Sequence, residues 1–424
     1  MDRLIMAEFI PDPSCADPQD QHSLSVDQAR EQIYQLLKPV SSWQKLALRE
    51  ALGQVLHTPI ISPLQVPPHN NSAMDGYAIH GKAITDQPFT LKLIGTAYAG
   101  QPFDGEVGPD ECVRIMTGAM VPAECDTVIM QEQVEVEGHN ITVHGQQTPG
   151  QNVRMAGEDI QQGDSVLPAG HRITPADMGL IASLGIGEIE VKRRLRVAFF
   201  STGDELRSIG EVLEDGQIYD SNRYTLYGML KRLDAEVLDM GVVPDEKAAL
   251  KLALQQAAEE ADVVITSGGV SVGDADYVKE ILAELGQVNF WKIAMKPGRP
   301  LAFGQINDAL FFGLPGNPVS VMVTFYQFVQ PALKKMAGEN DHPLPLMQVE
   351  TANKIRKRPG RFEFQRGILF EDEQGQLKVQ TTGQQGSGIL RSMSVANCFI
   401  LLDEQCNGID AGTIVTVQPF AGLV

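Results

Sequence analysis

Four short apolar runs in the second half of the chain, at 197–200, 237–243, 263–266 and 309–314, alternate with stretches of helical character. Those stretches begin near Ser221, Asp245, Asp276 and Pro318. Runs this short and this largely apolar read as buried strands, and strand–helix alternation predicts a parallel, doubly wound α/β sheet. The first half has another texture. A polar segment over 1–22 with Pro11, Pro13 and Pro18 is expected to form a loose tail. Val26, Ile33, Leu36 and Leu37 then recur at helical spacing behind a capping Ser25, and a second helix is predicted from about Ser42 to Leu52. Over 61–150, alternating runs such as Phe89-Thr-Leu-Lys-Leu-Ile94 and Cys112-Val-Arg-Ile-Met116 sit between Gly, Pro and Asp turns and predict a β-rich domain. Residues 151–193 are mixed, with a helix-like run over 175–184. Alternation returns near 362–370, 377–379, 398–402 and 413–417, the pattern of a small β-barrel or sandwich.

The expected organisation is therefore multidomain, α/β plus β. A mixed N-terminal domain takes 1–60 and 151–193, with 61–150 as a β-rich insertion. An α/β domain spans 194–345 and a C-terminal β-barrel spans 346–424. At 424 residues the chain is long enough for about three ordinary cores, which agrees with such a division.

Charge narrows the partners. With 34 basic and 54 acidic residues the net charge is -20, a surface that repels nucleic acid and anionic lipid. No apolar run is long enough to span a bilayer. The start, Met1-Asp-Arg-Leu-Ile-Met-Ala-Glu8, is too charged for a secretory signal, so the expected compartment is the cytoplasm. Cys15, Cys112, Cys125, Cys398 and Cys406 form no C-x-x-C pair, which fits reduced thiols rather than a zinc site or a disulfide framework.

The candidate chemistry sits in glycine-rich turns after the predicted strands: Ser201-Thr-Gly-Asp-Glu205, the stretch from Thr266 to Asp276, and Leu314-Pro-Gly-Asn-Pro318. In doubly wound sheets ligands bind at the carboxyl ends of strands, where all three turns fall. Ser267, Gly268, Gly269, Ser271 and Gly273 offer donors with little bulk, and a helix opening at Asp276 offers free N–H groups to an anion. Glu205, Asp245 and Asp276 are oxygen donors at the ends of separate strands, as a hard cation such as Mg²⁺ requires. The plainer alternative makes Asp245 and Asp276 helix caps. Lys292, Lys296 and Arg299 lie on a loop stiffened by Pro297 and Pro300, suited to an oxyanion or open to solvent. Asn70-Asn-Ser-Ala-Met-Asp-Gly-Tyr-Ala78 and Arg154-Met-Ala-Gly-Glu-Asp159 read as turns or as site loops. Lys354-Ile-Arg-Lys-Arg-Pro-Gly-Arg361 is a basic island, read first as a solvated strand edge.

Seven segments occur in one order: Asn71-Ser-Ala-Met-Asp-Gly-Tyr77, Arg114-Ile-Met-Thr-Gly-Ala119, Gly157-Glu-Asp159, Ser201-Thr-Gly-Asp-Glu205, Thr266 to Asp276, Lys296-Pro-Gly-Arg-Pro300 and Leu314-Pro-Gly-Asn-Pro318. Together they resemble the MoeA family, the molybdopterin molybdenumtransferases of molybdenum-cofactor synthesis, to which the gephyrin E domain is related. The resemblance runs from about residue 25 to the C-terminus. It implies a four-domain homodimer whose N-terminal domain serves dimerisation and whose α/β domain binds molybdopterin. It implies Mg²⁺-dependent insertion of molybdate, the substrate, into adenylylated molybdopterin with release of AMP. The implied catalytic residues are Asp75, Glu205, Asp276, Lys292 and Lys296, with Glu205, Asp245 and Asp276 toward the metal. The implied substrate-binding residues are Thr117, Arg154, Asp159, Ser267, Gly268, Gly269, Ser271, Arg299, Pro315, Pro318 and Ser387. The implied cleft lies between the α/β domain of one subunit and parts of the other. The molybdopterin adenylyltransferase and other cofactor-synthesis proteins are the expected protein partners. Two alternatives stand beside this reading: adenylylation of molybdopterin, and a non-catalytic scaffold of the gephyrin type.

Overall fold

The computed structural model describes residues 23–269, 276–340 and 345–420, with the backbone alone for Asp276 and Tyr277. The expected tail over 1–22 lies outside them. The chain divides into two compact units, Lys45–Val191 and the remainder.

The larger unit is built on a six-stranded sheet in the order Glu236–Val243, Arg196–Thr202, Val263–Ser267, Ala309–Leu314, Pro300–Ile306, Gly286–Lys292. The first four strands are parallel, and Pro300–Ile306 runs against both of its neighbours. Period-two alternation sends successive side chains to opposite faces. Val197, Phe199, Val263, Ile265, Phe303 and Phe312 enter one core, while Ala198, Phe200, Val264, Ala302 and Phe311 enter the other. Helix Ser221–Arg232 and the helical run opened by Pro318 cover the first face; Lys247–Glu260 and Asp276–Leu285 cover the second. This is the doubly wound arrangement expected. The sheet also contains a hairpin, Gly286–Lys292 with Pro300–Ile306, outside the four apolar runs read from the sequence.

Helix Val26–Leu36, closed at its start by a Ser25–Gln28 capping box, buries Val26, Ala29 and Ile33 in the first of these cores. The helix expected over 42–52 does not form. Trp43–Ala47 is a strand paired with Glu188–Lys192, followed by one 3₁₀ turn, Leu48–Glu50. Leu46 of the strand and Leu48 of the turn both pack on one core.

Past the α/β sheet the chain closes a five-stranded barrel. Phe362–Glu371 pairs with Leu377–Thr381, then Met347–Thr351, Ile414–Pro419 and Cys398–Leu402 follow, and the last returns to the first. Closure removes the free edges that an open sheet would expose. Met295–Lys296 adds a short parallel strand to Phe362–Glu363, which ties the basic loop 292–300 to the barrel wall. Arg366 is only 1% exposed, and burial pushes its guanidinium down to about 10, so it stays charged at neutral pH. It donates to Ser392 Oγ (3.0 Å) and to the Gly386 carbonyl (3.0 Å), while its backbone N–H donates to Gln385 Oε1 (2.8 Å). The loop carrying Ser387 is thereby pinned to the barrel.

One ion pair anchors the sheet's amino end. Asp262 receives both guanidinium arms of Arg193 at 2.7 Å and the Arg196 N–H at 2.9 Å. Burial alone would raise its carboxyl, but the Arg193 hydrogen bonds and the Arg196 N–H outweigh it and hold the group below its usual value. A depressed carboxyl stabilises the fold above its unfolded value of about 3.9 and loses that contribution as pH falls through the folded value. Asp262→Ala should cost about 2 kcal/mol at pH 7. The difference from wild type should shrink as denaturant titrations are repeated at pH values below about 3.9. A pH-independent gap would remove the pair from the account.

The smaller unit holds a six-stranded half-barrel in the order Thr127–Met130, Gly76–Ile79, Glu111–Ile115, Phe89–Ala97, Asn140–Val143, Val134–Glu137. Tyr77, Ile79, Leu91 and Ile129 pack on one side; Ala78, Val113, Ile115 and Val128 pack on the other. A separate core joins Ala51, Leu56 and Ile60 to Ile160, Leu167, Ile173, Ile181 and Ile189. The helix in this part, Pro175–Ser183, starts on a Thr174–Asp177 capping box as the pattern predicts. No helix among the described residues is long and apolar enough to cross a membrane.

Candidate active site

In the larger unit the candidate residues gather at one edge of the sheet. Ser201-Thr-Gly-Asp-Glu205, Asp245, Ser267–Gly269 and Leu314–Asn317 all follow the carboxyl ends of parallel strands. Gly286–Lys292 runs antiparallel to Pro300–Ile306 and therefore parallel to the central strands. Its carboxyl end opens on the same edge, which delivers the loop from Lys292 to Arg299 there.

Backbone geometry explains the glycines. Gly268 has φ +93°, and a Cβ there would lie 2.4 Å from the Thr202 carbonyl oxygen. Only glycine lets the two strand ends approach this closely. The Gly268 N–H donates to the Leu314 carbonyl at 3.1 Å, so adjacent turns are hydrogen-bonded to each other. Ser271, Gly273 and Asp274 lie outside the described residues; Asp276 opens helix Asp276–Leu285 by its backbone.

Asp245 does not cap the helix that follows it. The cap position falls on Glu246, without a side-chain bond, and Asp245 Oδ1 accepts from Thr202 Oγ1 at 3.4 Å. Glu205 is exposed, and its Oε2 stands 2.7 Å from where a Cβ on Gly203 would be. Both are hard oxygen donors at neighbouring strand ends, the chemistry Mg²⁺ takes. Among the described residues no three His, Cys, Asp or Glu side chains already converge on one point.

The basic loop is not a solvated one. Lys292, Lys296 and Arg299 are half-buried, and Lys296 Nζ lies 3.9 Å from Glu363 Oε1. Pro318 occupies the first helical turn behind Asn317, which caps by position without a side-chain bond. Ser387 meets this helix through its carbonyl, which accepts the Val319 N–H at 3.0 Å.

The smaller unit contains a cavity of about 680 Å³, lined by Val66, Pro67, Asn71, Ser72, Thr117, Gly118, Arg154, Glu158 and Asp159. Three predicted residues, Thr117, Arg154 and Asp159, thus line one cavity. Asp75 stands behind Thr117: its Oδ1 accepts the Thr117 N–H (2.7 Å) and Oγ1–H (2.8 Å). Those two bonds, the backbone one first, hold the Asp75 carboxyl below the usual carboxylate range. Arg154 pairs with Asn71 across a short ladder and faces Glu158 at 4.0 Å. Asn70, in a stretch read as a turn or a site loop, accepts the Ala156 N–H at 2.9 Å and fixes the Arg154–Asp159 turn.

Other candidates become structural. Cys112, Cys125 and Cys398 are buried, and burial pushes each thiol up to about 12, so thiolate is scarce near neutrality. In the basic island Lys357 points inward to the carbonyls of Arg358 and Cys406, and Lys354 pairs with Asp410 at 2.8 Å.

The sequence reading passed over Asn222. Its amide nitrogen donates to Ser267 Oγ (2.9 Å) and to the Gly316 carbonyl (2.7 Å), joining two of the glycine turns. The signal was an Asn two residues into a helix whose cap, Asp220, already explained the local polar cluster.

Fold and strand-end site define a multidomain α/β protein of the kind that holds its ligand beyond the carboxyl edge of the sheet. Residues 24–185 match the MoeA N-terminal region (domain I and II), 198–335 a probable molybdopterin binding domain, and 348–420 the MoeA C-terminal region (domain IV). The chain is 46% identical over 404 residues to a molybdopterin molybdenumtransferase of Haemophilus influenzae, covering 95% of this chain and 100% of that one. It is 33% identical to gephyrin of Dictyostelium discoideum over 88% of this chain and 58% of that protein. The crystal structure of the molybdopterin biosynthesis moeA protein from Pyrococcus horikoshii OT3 superposes with a TM-score of 0.82 at 30% identity, covering 94% of this chain and 100% of that one. The chain belongs to the MoeA family of molybdopterin molybdenumtransferases, enzymes of molybdenum cofactor biosynthesis.

Proposed function

We propose that this chain inserts molybdate into adenylylated molybdopterin and releases AMP, with Mg²⁺ as cofactor. The observation that carries the reading is the convergence of glycine turns, two carboxylates and three cations on one edge of the α/β sheet. The Gly269 N–H, one residue past the Gly268 N–H that donates to the Leu314 carbonyl, would meet a phosphate oxygen at short range, which the absence of side-chain bulk permits. Glu205 and Asp245, with Asp276, would hold the Mg²⁺, which supplies charge neutralisation on the phosphate oxygens when bound. Lys292, Lys296 and Arg299 bind and orient the oxyanion; the Arg299 fork can grip two oxygens at once. Pro315 and Pro318 fix the turn beside them. Ser387 acts through its carbonyl, by setting the start of the helix after Pro318.

In the smaller unit the cavity offers Thr117, Arg154 and Asp159 to the substrate, with Asp75 orienting Thr117. A homodimer, the four-domain division and a cytoplasmic location belong to the same reading, as do the cofactor-synthesis proteins as partners.

The test is AMP release from adenylylated molybdopterin with Mg²⁺, with and without molybdate. Molybdate-dependent release is expected. Consumption of Mg-ATP with free molybdopterin, without that release, would favour the adenylyltransferase alternative. Folded protein with neither activity would favour the scaffold.

A further inference from the structure

Three buried polar atoms lack hydrogen-bond partners in one corner of the α/β unit: Ser201 Oγ, Asp220 Oδ2 and Asn222 Oδ1. Ser201 and Asp220 are 0% and 2% exposed. Ser201 stands opposite Ser267 in the parallel ladder, and Ser267 Oγ receives the Asn222 amide. A polar atom buried without a partner opposes folding, so such groups persist where another use holds them. Asn222 is the member of this corner with two long-range bonds. One reaches Ser267, 45 residues away in sequence, and the other reaches Gly316, 94 residues away.

The two partners differ in kind. Ser267 Oγ is a side chain on the turn that presents Gly268 and Gly269. The Gly316 carbonyl is backbone on the turn that precedes Pro318. One planar amide with two N–H groups at a fixed angle therefore sets the distance between the turns. The second tie, from the Gly268 N–H to the Leu314 carbonyl, holds the first turn to the strand end before Pro315 and does not reach Gly316. A carboxylate at 222 would place an acceptor against the Gly316 carbonyl, and a hydroxyl could not reach both partners.

We propose that Asn222 is a positioning residue that holds the tips of the Ser267–Gly269 and Pro315–Asn317 turns at one spacing for the bound phosphorylated substrate. The proposal rests on the function given above for the reaction it serves, but not for the clip itself. Small displacements of positioned groups cost up to about a hundredfold in rate, so a lost clip should be visible in turnover.

The experiment uses the full-length chain with Asn222→Ala, Asn222→Asp, Ser267→Ala and the Asn222→Ala/Ser267→Ala pair. Hydrogen–deuterium exchange is read on peptides containing Gly268 and Gly316, and on strand Arg196–Thr202 as the internal reference. Both turn peptides should exchange faster in each Asn222 variant while the reference strand stays as in wild type. For AMP release, kcat should fall by about tenfold or more with KM changed far less, and the double variant should be no worse than the poorer single one. Asn222→Asp keeps the shape and should match Asn222→Ala. Wild-type exchange at either turn overturns the proposal, as do Asn222 and Ser267 effects that simply multiply. If wild type releases no AMP, the functional reading fails by itself, and the exchange data still decide the clip.

Discussion

Glu205→Gln is expected to lower AMP release by at least about a hundredfold while the melting temperature stays within about 2 °C of wild type. The reasoning starts from what Glu205 does not do for the fold. Its side chain is exposed and makes no hydrogen bond or ion pair among the described residues. The main chain around it is held separately, by the Ile218 N–H donating to the Glu205 carbonyl at 2.9 Å. The strand that leads to it, Arg196–Thr202, is buried from Val197 onward. Gln keeps the length and the planar end group, so packing over Gly203 is preserved. What disappears is one negative charge at the strand edge, and a neutral amide oxygen is a much weaker ligand for Mg²⁺ than a carboxylate. Saturating Mg²⁺ should recover part of the loss if the residue acts through the metal. Wild-type turnover in this variant would remove Glu205 from the mechanism and shift weight to Asp245 and Asp276.

How much of this was legible follows from which forces act locally. The inner parallel strands were readable because burial on both faces demands apolar runs, and Ala309–Leu314 was bounded to the residue. The hairpin Gly286–Lys292 with Pro300–Ile306 was not. Its first strand is half-buried and alternates with polar residues, and Pro297 and Pro300 mark a stiff loop over 292–300 without signalling the strands on either side. Trp43–Ala47 was misread because a Ser followed by mixed residues resembles a helix start. Its strand identity comes from a partner more than 140 residues away, Glu188–Lys192, which no local pattern contains.

The candidate site divides the same way. Two segments of the smaller unit's cavity, over 70–78 and 154–159, were visible as glycine-containing polar stretches, while Thr117 entered through the family resemblance. That Val66, Thr117 and Asp159 line one cavity comes from pairings between distant segments, Val66 with Ile160 and Asn71 with Arg154, not from any one segment. Asp245 looked like a cap because an acid before Glu246 and Lys247 fits the cap preference. The side chain instead accepts from Thr202, on the strand next to its own. Asn222 was hidden for the opposite reason: Asp220 does cap helix Ser221–Arg232, accepting the Arg223 N–H at 3.1 Å, and that satisfied the local pattern completely. Residues whose role is to join distant turns leave no periodicity behind.

Gly268→Ala should show how tightly the strand ends are packed, and the contrast with Gly316→Ala makes the test clean. At 268 the backbone sits at φ +93°, where an L side chain is strained by roughly 1–2 kcal/mol before any contact is counted. The added methyl would also meet the Thr202 carbonyl oxygen at 2.4 Å, and that oxygen is main chain on a buried strand, so it cannot rotate away. Either the Ser267–Gly269 turn moves outward or the Arg196–Thr202 strand does. A total cost of about 3 kcal/mol follows from backbone strain and overpacking together. Gly316, on the neighbouring turn, has nothing within 4 Å of its would-be Cβ and no positive φ. Its Ala variant should stay within about 0.5 kcal/mol of wild type. Denaturant titration separates the two directly. Because the outward shift displaces the Gly269 N–H, AMP release by the folded Gly268→Ala protein should fall by up to about a hundredfold. Equal stabilities for the two variants would mean that the Ser267–Gly269 turn can yield, and rigid presentation of the Gly269 N–H could then no longer be part of how phosphate is held.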